Sequence, residues 1–263
     1  MTGFVELRDV RLTYGGAADG TLALDGLTMG VKKGEFAAVV GPSGCGKSTL
    51  MKLATGLITP QEGTIEVAGH EVDGPVSVAG MAFQNPSMLP WRSTLANVML
   101  PLEIVQPHRS RFRAEKQAYT AKAEALLDLV GLKGFGEKYP WQLSGGMQQR
   151  ANLCRALIHD PALLMLDEPF GALDAFTREE LWQVMRDLHA DKGFTTILVT
   201  HDLREAVYLA DKVFVMSARP GTIIREREVS FERPRPIELT YESAFNDIVH
   251  ELRDLIADAR AAA

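Results

Sequence analysis

The stretch Gly41-Pro42-Ser43-Gly44-Cys45-Gly46-Lys47-Ser48-Thr49 constrains this chain more than any other. It follows Phe36-Ala37-Ala38-Val39-Val40, a continuous apolar run of the kind that forms a strand buried on both faces of a parallel sheet. A helix is expected after it to about Thr55, with Gly56 suited to the helix end. Glycine, four residues, Gly-Lys and then Ser or Thr lets successive backbone N–H groups turn inward, and the helix N-terminus adds its positive dipole end. Such a cradle suits phosphate oxygens, with Lys47 reaching the outer phosphates and the Ser48 hydroxyl placed for Mg²⁺. The strand before and the helix after separate this reading from a glycine-rich turn carrying a chance lysine.

Around that motif the chain reads as an α/β protein. Val5 to Tyr14 and Leu22 to Val31 are β-rich, bounded by the turns Gly15-Gly16 and Lys33-Gly34. From about Pro86 to Asp160 the periodicity is helical. Tyr119, Ala123, Leu126, Leu127 and Val130 share one helix face before Gly131, and Met147, Ala151, Cys154 and Ile158 share another after Ser144. Ala162 to Leu166 reads as a second buried strand ending in Asp167-Glu168, followed by a helix with Leu181, Val184, Met185 and Leu188 on one side. Thr195 to Thr200 is a third strand, ending at His201, and Asp202-Leu203-Arg204-Glu205 opens the next helix as an acidic capping box. Strands alternating with helices in this way imply a parallel sheet with helices on its faces.

Val213 to Met216 and Thr222 to Val229 read as strands joined through Pro220-Gly221, a type II turn pair. Arg233-Pro234-Arg235-Pro236 reads as a linker and Ala244 to Ala259 as a terminal surface helix. The expected organisation is a single domain over 1–263. Residues 1–85 and 161–230 form its core, 86–160 a helical insert, and 231–263 a C-terminal linker and helix.

Charge and composition narrow the function classes. The formal net charge is −6, which argues against a nucleic-acid partner. The one dense basic run, His108 to Arg113, is followed at once by acidic Glu115 and reads as a solvated surface. Cys45 and Cys154 lie far apart, so no disulfide framework is expected and a reducing compartment fits. Cys45 is expected to be accessible and activated beside a helix N-terminus, whereas Cys154, on an apolar helix face, is expected to be inert. The start of the chain lacks the basic and apolar stretches of a signal peptide. No apolar run reaches the roughly 18 residues that cross a bilayer. The chain is therefore expected to be cytoplasmic, with any membrane spanning done by another subunit.

Asp167 and Glu168 close an apolar strand, where ligands gather in open α/β sheets. An Asp there can hold the shell of a Mg²⁺ ion and a neighbouring carboxylate can orient an attacking water, though alone the pair reads equally as solvated carboxylates. Leu143-Ser144-Gly145-Gly146-Met147-Gln148-Gln149-Arg150 opens a second helix whose N-terminus can take an anion, with Ser144 also suited to cap it. This second motif resembles the ABC signature sequence, and other motifs follow in that family's order along essentially the whole chain.

The resemblance implies a P-loop NTPase (RecA-like) core with a parallel sheet, an N-terminal antiparallel β region and an inserted helical subdomain. ATP and Mg²⁺ are the implied cofactors. Gly41 to Thr49 would hold the phosphates, namely Gly41, Pro42, Ser43, Gly44, Cys45, Gly46, Lys47, Ser48 and Thr49, while Tyr14 matches the aromatic that stacks on adenine. Ser48, Gln84 and Asp167 match the metal-shell positions, and Glu168, His201, Lys47 and Gln84 the catalytic ones. Ser144, Gly145 and Gly146 would close over ATP held by a second copy in a head-to-tail dimer, and Asp174 matches the loop linking the two sites.

A closer resemblance is to ATPases of nitrate, sulfonate and taurine importers. It rests on Met88-Leu89-Pro90-Trp91, Tyr139-Pro140-Trp141-Gln142, Phe170 to Ala175 and Ala218-Arg219-Pro220-Gly221. Met147 stands where the broad family often has Gln, and Asn152 and Cys154 where it usually has small or aliphatic residues. The implied partners are two transmembrane permease subunits and an extracytoplasmic solute-binding protein, with the chain peripheral on the cytoplasmic face of the inner membrane. The alternatives are the ATPase of a separate-subunit exporter and a soluble ABC ATPase without a permease. Translation and repair ATPases of the latter kind carry paired units or long heptads, and neither occurs here.

Overall fold

The computed structural model describes residues 3–15 and 20–261. Gly16 of the expected Gly15-Gly16 turn and the first two residues of the chain lie outside them. The chain divides into two compact units, Met1–Val76 with His189–Ala263, and Ser77–Leu188.

The first unit begins with strands β1 (Val5–Tyr14) and β2 (Thr21–Val31), paired antiparallel. In β1 the buried side chains are Val5 and Leu7, then Val10 and Leu12. Alternation slips by one residue where Asp9 takes φ 51°, a bulge that keeps both pairs on the buried face. Strand β3 (Phe36–Val40) is buried throughout, as its unbroken apolar run requires. It leads through the glycine-rich loop into helix α1 (Lys47–Ala54). Strands β4 (Glu62–Val67) and β5 (His70–Glu71) extend the antiparallel sheet in the order β2-β1-β4-β5.

The second unit opens with β6 (Ala79–Ala82) and continues through short helices α2 (Thr94–Val98), α3 (Leu100–Ile104) and α4 (His108–Arg111). In α5 (Lys116–Leu129) the buried residues Tyr119, Ala123 and Leu127 form one stripe, as the spacing predicts. Helix α6 (Gly145–Leu157) starts at Ser144, whose hydroxyl accepts the Met147 N–H at 3.3 Å. Strand β7 (Leu163–Asp167) pairs parallel to β6 and precedes α7 (Ala175–Lys192). Leu181 and Met185 of α7 are buried as expected, but Trp182 is buried too while Val184 and Leu188 are half-buried, so the apolar stripe is turned from the expected one.

Returning to the first unit, β8 (Thr195–Val199) pairs parallel to β3 and is followed by α8 (Leu203–Leu209). Asp202 caps α8 by accepting from the N–H groups of Arg204 (2.9 Å) and Glu205 (3.3 Å). Only that half of the expected capping box is seen, because the Asp202 N–H donates to Thr200 Oγ1 at 3.0 Å. Strand β9 (Lys212–Met216) flanks β3 in parallel, and β10 (Ile223–Glu228) pairs antiparallel to β9. The connection between them is not the type II turn expected, since Gly221 stays out of the left-handed region.

Arg235 of the Arg-Pro-Arg-Pro segment is 1% exposed. Its guanidinium donates to the carbonyls of Val207 (3.0 Å), Tyr208 (3.0 Å) and Ala210 (2.7 Å) at the end of α8, and to Val229 (2.9 Å). The first three are carbonyls that a helix end otherwise leaves unpaired. Burial, with the charge of Arg233 second, lowers the Arg235 pKa to about 10. Helix α9 (Ser243–Ala261) packs on α8 and β9 and buries Phe245, Ile248 and Leu252 along one face. Among the described residues no helix is long and apolar enough to cross a membrane.

Candidate functional site

Tyr14, the phosphate loop and His201 lie in the first unit, and Gln84, Ser144 to Gly146, Asp167, Glu168 and Asp174 in the second. In the first unit the strand register places the key groups. Val39 pairs with Val199 across the parallel β3 and β8, so Gly41 and His201 each emerge two residues beyond paired positions, at the same edge. The loop then turns through Gly44 (φ 76°) and Gly46 (φ 104°) into α1. Gly46 is the N-cap and offers no side chain, so the first-turn N–H groups are left for a ligand. A Cβ on Gly46 would lie 2.7 Å from Leu24 Cδ2, so close packing and backbone angle both demand glycine there.

Lys47 is buried, and its Nζ donates to the carbonyls of Gly41 and Pro42, each at 2.8 Å, with Cys45 Sγ at 3.6 Å. Its ammonium is thus held inside the loop by two weak, neutral acceptors. A triphosphate carries far more charge and can outbid them. Ser43, Gly44 and Ser48 are exposed on the loop, and Tyr14, also exposed, shares a hydrogen bond with Thr49 Oγ1 at 3.3 Å. Cys45 departs from expectation. Its side chain is 1% exposed, so the thiol beside the helix N-terminus is not an accessible one. Cys154 is buried too, and burial pushes its pKa far above the usual thiol range.

The second unit repeats the same register. Ala82 pairs with Leu166 across β6 and β7, so Gln84 and Glu168 both emerge two residues beyond paired positions. Their side chains meet: Gln84 Nε2 donates to Glu168 Oε2 at 2.9 Å. Asp167, the last residue of β7, is buried, while Glu168 is half-buried and takes φ 46°. A left-handed backbone at a residue other than glycine costs about 1–3 kcal/mol and persists where surrounding structure over-determines it. Gln149 of α6 contributes to that by donating to the Glu168 carbonyl at 3.4 Å.

Other residues of α6 grip the segment after Phe83, and sequence reasoning gave them no functional part. Asn152, fully buried, donates to the Phe83 carbonyl at 3.0 Å. Arg155 donates to the carbonyls of Pro86 and Ser87 and to Asn152 Oδ1 at 2.7 Å. The available signal was the polar set Gln149, Asn152 and Arg155, spaced three apart on one side of α6 beside its apolar stripe; a buried amide needs partners. Further along the loop Met88 is buried, but Trp91 is 70% exposed. Asp174 caps its own helix α7, accepting from the Thr177 N–H at 3.1 Å and the Thr177 hydroxyl at 2.7 Å. The Thr177 N–H, more than its hydroxyl, holds that carboxyl below the ordinary range.

Residues 24–171 match the family described as ABC transporter. Over 222 residues the chain is 42% identical to the aliphatic sulfonates import ATP-binding protein SsuB of Bacillus licheniformis, covering 84% of this chain and 83% of that protein. Over 220 residues it is 40% identical to the taurine import ATP-binding protein TauB of Escherichia coli, covering 84% of this chain and 82% of that protein. Among solved structures, a dimeric post-hydrolysis state of the ATP-binding cassette MJ0796 bound to ADP and Pi superposes with a TM-score of 0.75 at 29% identity, over 87% of this chain and 100% of that one.

Proposed function

This chain belongs to the ABC transporter family, and from that premise we propose that it is the ATP-binding and ATP-hydrolysing subunit of an importer for a small solute such as nitrate, a sulfonate or taurine. The relatives named for sulfonate and taurine import, at 40–42% identity over most of both chains, support the importer reading. The observation that carries the hydrolytic part is the Gln84–Glu168 hydrogen bond at the end of β7. It aims a carboxylate and an amide at one point, which is what orienting a water for attack on a γ-phosphate requires.

In this reading Glu168 polarises the water, while Lys47 and His201 stabilise the charge that develops on the phosphoryl oxygens. Gly41 to Thr49 hold the phosphates and Tyr14 lies against adenine. Ser48, Asp167 and Gln84 would hold Mg²⁺. They fit it: a hydroxyl, a carboxylate and an amide oxygen are hard donors, and among the described residues no cage of three or more acidic, His or Cys side chains competes for the ion. Bound there, the ion would neutralise charge on the β- and γ-phosphate oxygens.

A second copy would supply Ser144, Gly145 and Gly146 to each ATP, with Asp174 linking the paired sites. The MJ0796 cassette, whose structures are dimeric, supports self-association. Two permease subunits would do the spanning, and an extracytoplasmic binding protein would deliver solute to them. Exposed Trp91, on a loop anchored by buried Met88, is a side chain presented for a permease contact. The test of the catalytic assignment is Glu168→Gln, which keeps shape and hydrogen bonding but cannot polarise water. Turnover should fall at least about a hundredfold with ATP affinity retained, and the protein should elute as an ATP-dependent dimer. Wild-type turnover would remove Glu168 from the mechanism.

A further inference from the structure

The turn between β9 and β10 closes on itself. Ser217 N–H donates to the Thr222 carbonyl and Thr222 N–H to Ser217 Oγ, both at 2.9 Å. It also lies against the phosphate loop. Arg219 donates from Nε (3.2 Å) and Nη2 (3.0 Å) to the Gly44 carbonyl. Two residues on, a Cβ at Gly221 would stand 2.0 Å from the Cys45 carbonyl oxygen, so glycine is needed there for close approach alone. A Cβ at Gly41 would likewise meet Met216 at 3.0 Å. The loop that receives phosphate is thus backed along its length by the turn from Met216 to Gly221.

We infer that Arg219 is a positioning residue for the phosphate loop, holding the Gly44 carbonyl outward and thereby turning the next amide inward. The peptide unit is planar, with C=O and N–H pointing opposite ways. Fixing the Gly44 oxygen toward Arg219 therefore fixes the Cys45 N–H toward the loop interior, where it meets the Pro42 carbonyl at 3.4 Å. Gly44 has no side chain to restrict it and sits at φ 76°, so without the tether little holds this peptide against flipping. A guanidinium suits the task because it stays charged at any working pH. Both its N–H groups go to a single oxygen, so one ammonium donor can stand in for them.

The inference rests on Gly41 to Thr49 being the ATP phosphate site, and the test separates the two. ATP and ADP affinities, kcat and KM are measured on the purified full chain for wild type, Arg219→Ala, Arg219→Lys and Lys47→Ala. Arg219→Ala should weaken ATP and ADP by the same factor, about fivefold, as loss of one charged hydrogen bond predicts. Its kcat at saturating ATP should stay within about twofold, and the affinity loss should be equal at low and high salt. Arg219→Lys should restore affinity to within about twofold. Unchanged affinity in Arg219→Ala overturns the inference. A loss confined to ATP that shrinks with salt also overturns it, by showing direct contact with the γ-phosphate. If Lys47→Ala binds ATP as wild type does, the phosphate-site reading itself falls.

Discussion

The phosphate loop and the loop that begins at Gln84 start alike and are held differently. Each leaves a short parallel strand two residues after a paired position, Val39 with Val199 in one case and Ala82 with Leu166 in the other. The phosphate loop is then shaped chiefly by its own main chain, through Gly44 and Gly46, with Lys47 folded back on loop carbonyls and one distant side chain, Arg219, pinning the Gly44 carbonyl from outside. The loop after Phe83 is shaped by borrowed side chains, Asn152 and Arg155 of α6, which are 69 residues away along the chain from Phe83 and Pro86. A loop built mainly on its own backbone, and pinned at the Gly44 peptide, is a receptor of fixed shape. A loop tied to α6 at Phe83, Pro86 and Ser87 is coupled to that helix, so movement of the α6 start, where Ser144 lies, can reach Gln84. Further on, Asn97 of α2 holds the loop at Leu89 and Arg92.

The largest effect that would break this comparison is at Gly46. Gly46→Ala forces a side chain into a φ of 104° and against Leu24. Nucleotide affinity should fall on the order of a hundredfold, about 3 kcal/mol, with far-ultraviolet circular dichroism unchanged. Retained affinity would mean that the loop is not main-chain built. The next effect is at Asn152. Asn152→Leu leaves the Phe83 carbonyl unpaired, a loss of about 1–3 kcal/mol. If its chief effect is on the placing of Gln84, kcat should drop about tenfold while ATP affinity stays within about twofold. Equal losses in both would show that the two loops do not divide the work this way.

The smallest effect concerns one buried histidine in each unit. His159 and His189 have their pKa values lowered, in both cases chiefly by burial, with the Arg233 charge adding to it at His189. The unfolded chain therefore takes up protons first, so stability falls as pH drops below the unfolded value near 6.5 and levels off below the folded one. The thermal midpoint should drop a few degrees between about pH 7 and 5.5. Because His189 packs edge-on against Phe36 and Phe194, His189→Phe should reduce that slope without large destabilisation. An unchanged slope would show that another group carries the titration.

The same contrast explains what could be read in the sequence. β3 is a continuous apolar run, β7 is apolar up to Asp167 and β8 is a largely β-branched run entered through two threonines, and the phosphate loop carries its geometry in adjacent letters, so strand, loop and helix were all legible. β4 and β6 were not, because Glu62-Gly63-Thr64 and Ala79-Gly80 carry little strand signal and form through pairing with β1 and β7. The bulge at Asp9 and the left-handed Glu168 are likewise set by neighbours. At the site, residue identities were legible where a motif is local. The grip of Gln149, Asn152 and Arg155 was hidden because its acceptors are distant main-chain carbonyls with no residue type to announce them.

Arg235 carries a practical lesson for anyone cutting this gene. By letter content, residues 233–236 look like a spacer, an inviting place for a stop codon, a protease site or a fusion junction. Yet the guanidinium is the plug in the end of α8, the helix that starts just after His201. A fragment ending at residue 230 strips three carbonyls of their donor and uncovers the side of α8 on which α9 packs. Shortened versions of this protein should therefore be designed to retain the tail, and a tag belongs beyond α9.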